Sequence, residues 1–214
     1  MDNQIIDDTL RYVKELFAND YGGHDFYHTY RVYRTATAIA RQEGADVRTV
    51  QLAALLHDVD DAKLSPETHA GKKRAVRFLS GHGVPEETVA AICDMIETVS
   101  FAGTDTVAPP TLEGQCVQDA DRLDAMGAIG IARAFAYGGN HSRAMYDPEI
   151  PYREAMSAEE YRSYPSTTIN HFYEKLLQLR ALMNTDTARA MAEERDAYMR
   201  AYLTEFFAEW EGVR

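Results

Sequence analysis

An all-α fold is predicted by three features of the 214-residue chain. Apolar residues recur at helical rather than alternating spacing along nearly every segment. Each periodic run is bounded by glycine, proline or a capping side chain. No stretch reads as a strand, an internal repeat or a low-complexity tract. About eight to nine helices are expected, gathered as a single domain over residues 1–214.

The helices follow in order. Ile5, Ile6, Leu10, Val13, Leu16 and Phe17 mark the first, which Tyr21-Gly22-Gly23 interrupts. The second runs from about Asp25 to Glu43, with Phe26, Val32, Ala36, Ile39 and Ala40 on one side and Gly44 as its stop. The third, about Asp46 to Asp58, is apolar nearly all round and belongs in the core. Ser65-Pro66-Glu67 opens a fourth that ends near Gly81-His82-Gly83, since proline is tolerated in a first turn. Val84-Pro85-Glu86-Glu87 opens a fifth, reaching about Val99. A loop from Gly103 to Pro110 precedes a sixth around Val117 and Leu123. The seventh holds Ile129, Ile131, Ala132 and Phe135 and ends at Gly138-Gly139. About 140–165 lacks periodicity and holds three prolines, as a connection that covers a pocket would. Helices over about Ser166–Met183 and Asp186–Trp210 complete the chain.

Hydrophobic and charged contents of 45% and 26% are those of a globular protein with a real core. A formal net charge of −12 argues against a nucleic-acid polymer or an anionic membrane as partner. A local basic pocket for a small phosphate compound is compatible with it, because short contacts outcompete a screened field. Cys93 and Cys116 lie in helical patterns and read as reduced thiols. Met1-Asp2-Asn3-Gln4 lacks the basic and apolar regions of a signal peptide, and no run is long enough to span a membrane. A cytoplasmic protein is expected, and a homodimer is compatible with the sequence.

The chemistry concentrates at His57-Asp58, which ends the apolar third helix, with His28 upstream and Asp121 downstream. Imidazole nitrogens and carboxylate oxygens suit a divalent cation. Three packed helices would deliver the four side chains, as helical bundles commonly do. A carboxylate at a helix C-terminus opposes the dipole, so Asp58 is poorly explained as a cap. Asp25, Asp119, Asp124 and His24 are candidates to orient the ligands.

The ordered set resembles the HD-domain superfamily of metal-dependent phosphohydrolases. Gly23-His24-Asp25-Phe26-Tyr27-His28-Thr29-Tyr30-Arg31-Val32 is similar to its first motif and Ala54-Leu55-Leu56-His57-Asp58-Val59-Asp60-Asp61 to its second. Gln118-Asp119-Ala120-Asp121-Arg122-Leu123-Asp124-Ala125 is similar to its last. Gly127–Arg133 and His171–Leu177 resemble one bacterial HD-hydrolase subgroup, so the likeness covers nearly the whole chain.

The resemblance implies an HD-domain helical bundle with a core metal site in 20–125 and C-terminal helices 166–210 packed on it. It implies that His28, His57, Asp58 and Asp121 bind one divalent metal ion, with Mn, Mg, Fe, Co, Ni and Zn not distinguished. Extra histidines of two-metal relatives have no counterpart in Ile92–Phe101. The implied reaction is hydrolysis of a nucleotide or related small phosphorylated metabolite through a metal-activated water. Asp61 and Lys63 are the catalytic candidates, and Arg31, Arg122, His171 and Lys175 are the candidates for substrate binding. Arg31 has a rival role in a salt bridge to Asp58 or Asp121. Lys72-Lys73-Arg74 reads as a solvated charge run and His82 as exposed. The alternative function is a non-catalytic HD-fold module that binds a ligand or partner.

Overall fold

The structure is a computed structural model that describes residues 2–18, 25–61, 65–99, 106–153 and 165–214. Among these residues there are ten α-helices, one 3-10 helix and no strand. They are α1 (Asp2–Leu16), α2 (Phe26–Glu43), α3 (Val47–Leu56), α4 (Pro66–His69), α5 (Lys73–Gly81), α6 (Glu86–Glu97), α7 (Leu112–Asp124), α8 (Gly127–Asn140), α9 (Thr168–Glu174) and α10 (Asp186–Trp210), with the 3-10 helix over Leu176–Leu182 between the last two. None is long and apolar enough to cross a membrane.

The chain forms two compact units. The first comprises the described residues of Met1–Phe101 and Val107–Asp121, the second those of Ala102–Thr106 and Arg122–Arg214.

In the first unit α3 is central, packed against α1, α2 and α6. Its all-round apolar character makes this possible: every residue from Leu52 to Leu56 is buried. Its start is fixed by Asp46, whose carboxylate accepts from the Thr49 amide at 2.7 Å. Those Thr49 hydrogen bonds hold the Asp46 carboxyl below its ordinary pKa. α2 opens on Asp25, which accepts from the His28 amide at 2.7 Å, and closes on Gly44. Gly44 takes φ 78°, the left-handed conformation that lets its N–H close the last turn on Ala40. α7 is tied in by Glu113, which accepts from the Asp46 amide, and by the buried Gln118, which donates to the carbonyls of Thr98 and Val107.

The fourth expected helix is two helices. The chain turns at Gly71 and Lys72, both at positive φ, and α5 starts after them. Lys72 cannot cap α5 with its own side chain. Asp60 does so from a distance, accepting from the amides of Arg74 and Ala75, the N2 and N3 positions. Lys72 itself is not solvated as its charge run suggests: it is buried and paired with Glu97 at 2.5 Å.

In the second unit α10 packs on α8 and on the 3-10 helix, and Phe135, Phe172 and Tyr202 form an aromatic core. α8 and the start of α9 approach so closely at Gly138 that a Cβ there would stand 2.3 Å from Thr168 Oγ1. The expected helix over Ser166–Met183 is broken at Lys175, where φ −141° ends α9 and the 3-10 turn begins. The described start of the 140–165 connection is fastened: Thr168 and Ile169 donate to the carbonyls of Ala144 and Met145, and Asn170 to that of Ile150.

Candidate metal centre

α2, α3 and α7 bring the four expected ligands together within the first unit. His28 and His57 face each other with their Nε2 atoms 3.3 Å apart. Asp58 Oδ2 lies 3.4 Å from His28 Nε2 and 3.2 Å from His57 Nε2. Asp121 Oδ1 lies 3.4 and 3.9 Å from the same two nitrogens. His28, His57 and Asp58 are buried, and Asp121 is partly exposed.

These separations are informative. Ligands about 2.0–2.2 Å from one cation stand about 3 to 3.5 Å from their neighbours. The separations among His28, His57 and Asp58 and that from His28 to Asp121 are on that scale, and Asp121 stands wider from His57 at 3.9 Å. His57 is also set in the ligating tautomer. Its Nδ1 faces the Ala54 carbonyl at 2.8 Å and must donate to it, which leaves the lone pair of the neutral ring on Nε2. A second imidazole nitrogen and two carboxylate oxygens around that lone pair make a donor set that a divalent cation satisfies.

The electrostatics agree. Burial opposes protonation of His57, but the carboxylates of Asp58 and then Asp121 outweigh it and raise its pKa. Burial pushes the Asp121 carboxyl up, but His28 and His57 pull it below the ordinary value, so it is ionised at neutral pH.

The remaining candidates fall in different places. Asp61 is half-buried in the turn after the dyad, its amide bonded to the Asp58 carbonyl and its own carbonyl to the Ser65 amide. Arg31 is half-buried one turn beyond His28 on α2. Lys63 and His24 lie outside the described residues. Arg122 is buried in the second unit, where its guanidinium donates to the Leu182 carbonyl. His171 and Lys175 also belong to that unit. Burial, Lys175 and Arg143 together depress the His171 pKa to about 3, so its ring is neutral. Of the proposed orienting acids, Asp25 caps α2, and Asp124 pairs with Arg133 at 2.8 Å. His82 is exposed as expected.

Two features escape a reading of the sequence. The lock on His57 comes from a main-chain oxygen, which leaves no mark in residue type. Asp60 looks like one more acid in an acidic run, yet it is buried and fixes the chain beyond the dyad onto α5.

Comparison with known proteins places this geometry in context. Residues 25–126, the span that holds all four expected ligands, match the model of the HD domain. The Bacillus subtilis protein YpgQ is 35% identical over 204 residues, covering 94% of this chain and 92% of its own. A crystal structure from Lactobacillus plantarum shares 43% identity and a TM-score of 0.86 over 97% of both chains. An HD-superfamily hydrolase from Bacillus thuringiensis shares 41% identity and a TM-score of 0.78 over 99% of both. The crystal structure of YpgQ in complex with ADP has a TM-score of 0.78 at 33% identity, covering 98% of this chain and 100% of that one. With sequence and fold shared end to end, and the dyad in its expected setting, the chain belongs to the HD-domain superfamily of hydrolases.

Proposed function

We propose that this protein is a metal-dependent phosphohydrolase acting on a nucleotide. The observation that carries this reading is the convergence of His28, His57, Asp58 and Asp121 on one point, with spacings that suit a cation. The ADP complex of YpgQ, a relative over the full length, supports a nucleotide as the ligand.

The four side chains hold one divalent ion, and Asp121, the most exposed of them, marks the side open to solvent. Such an ion lowers the pKa of water and offsets charge on phosphoryl oxygens. Asp61, three residues beyond Asp58, takes the proton of the attacking water. Lys63 and Arg31 offset charge on the phosphate, Arg31 in preference to Arg122, whose guanidinium is engaged with the Leu182 carbonyl.

The test is a screen of the purified, metal-stripped chain with Mn²⁺, Mg²⁺, Co²⁺ and Fe²⁺ on a panel of nucleoside mono-, di- and triphosphates. Hydrolysis restored by metal is expected. Activity that survives both His57→Ala and Asp58→Ala, or metal binding without turnover anywhere on the panel, would overturn the reading. The second outcome would leave a ligand-binding module.

A further inference from the structure

The second unit carries a groove of about 670 Å³ between the 3-10 helix and α10, lined by Leu177, Arg180, Ala181, Arg189, Ala190, Glu193 and Arg200. Three arginines on one groove are unusual company in a chain of net charge −12. We infer that this groove is a binding site for a polyphosphate group, formed by Arg180, Arg189 and Arg200 and separate in its residues from the metal centre.

The arginines are gathered by design of the local structure. Asp196 is buried within α10, and two guanidinium groups converge on it. Arg200 reaches it from the next turn with Nε at 2.7 Å, and Arg180 from the 3-10 helix at 3.6 Å. One buried carboxylate therefore holds two half-exposed cations side by side, and the second carboxylate at the pair, Glu193 on Arg180, is solvent-exposed. Arg189 is held at the start of α10 by the Asp186 carboxylate and the Asn184 carbonyl.

The other acids do not close the site. Glu193, which meets Arg180 at 3.2 Å, is 69% exposed, and Asp186 is 92% exposed, against 2% for Asp196. Ion pairs made by such solvated carboxylates are weak and exchange readily with a stronger anion. A guanidinium fork binds two phosphate oxygens at once, so adjacent phosphoryl groups can displace both side chains. Leu177, Ala181 and Ala190 add an apolar wall, and the volume falls within the range of small-ligand sites.

The experiment titrates the full-length chain, in chelator, with inorganic pyrophosphate and separately with ATP, following heat. Both are expected to bind. The Arg180→Gln/Arg189→Gln variant, which keeps Arg200 on Asp196, should bind at least tenfold more weakly. Glu193→Gln should bind severalfold more tightly, because it removes a competing carboxylate. ATP binding tighter than pyrophosphate would add a nucleoside on the apolar wall, and equal binding would assign the affinity to phosphates alone; either supports the site. No binding at millimolar concentration, or equal affinity in the double variant, would overturn it. Should that variant lose its native circular dichroism, Glu193→Gln decides: tighter binding upholds the site and unchanged binding refutes it.

Discussion

Asp58 and Asp60 are two residues apart, both buried, and treated in opposite ways. Asp60 receives two main-chain amides at 2.9 to 3.1 Å and completes the first turn of α5. Asp58 points its Oδ2 at two imidazole nitrogens, beside which Asp121 adds another carboxylate. The first arrangement is complete with protein atoms alone. The second brings lone pairs and negative charge to one point, which is costly in the folded chain and useful only when a cation compensates it. Within three residues the chain thus separates an acid that caps a helix from one that joins the candidate metal centre.

Paired substitutions test that separation. Asp58→Asn should weaken metal binding by more than about 100-fold, since even outer partners of metal ligands contribute about 10–100-fold. Its metal-free stability should equal or exceed that of the parent, because one of the crowded charges is gone. Asp60→Ala should reverse the pattern. It orphans two buried amides and should cost about 1–3 kcal/mol, while the folded fraction still binds metal. Calorimetric metal titration and urea unfolding of both variants check the pair. Equal behaviour of the two in either assay would erase the distinction.

A smaller effect extends the comparison to the second unit. Its half-buried histidine, His171, is kept neutral by desolvation, Lys175 and Arg143, with a pKa of about 3. An unfolded histidine titrates near about 6.5. Between those values the unfolded chain binds a proton that the folded chain does not, so this residue's contribution is intact above the unfolded pKa and is lost as pH falls towards 3. The urea midpoint of His171→Gln should therefore fall less steeply than that of the parent from pH 6.5 downwards. His57 has the opposite sign, because its pKa is raised.

The smallest expected effect is an absence. Burial first, then the charges of Asp119, Glu43 and Glu113, push the Cys116 thiol up to about 12. Cys116 should stay unmodified by a thiol reagent at pH 8 in the native chain and react on unfolding. Labelling of native Cys116 would show that the α7 backbone opens more readily than its packing implies.

Where sequence and structure agree, the information is local. Asp25 and Gly44 delimit α2 through their own side chain and backbone, and Asp186–Trp210 emerges as written. The order of the expected ligands is legible because His28, His57-Asp58 and Asp121 each sit in a characteristic local run. What escapes is non-local. The expected fourth helix runs unbroken across residues 70–72, yet a left-handed turn at Gly71 and Lys72 divides it, and Asp60 more than ten residues earlier caps the second part. Likewise, nothing near Lys175 announces the change from α9 to a 3-10 turn. Arg122 carries the right charge for a phosphate, but only the fold reveals that a carbonyl has claimed it.

The remote closure of α5 has a mechanical corollary. A helix whose opening turn is held by a residue from the far side of a bend cannot begin to unravel without releasing that bend. Here that residue, Asp60, stands three positions after the histidine of the dyad. The placement of the candidate centre is in this sense tied to a helix that supplies none of its expected ligands.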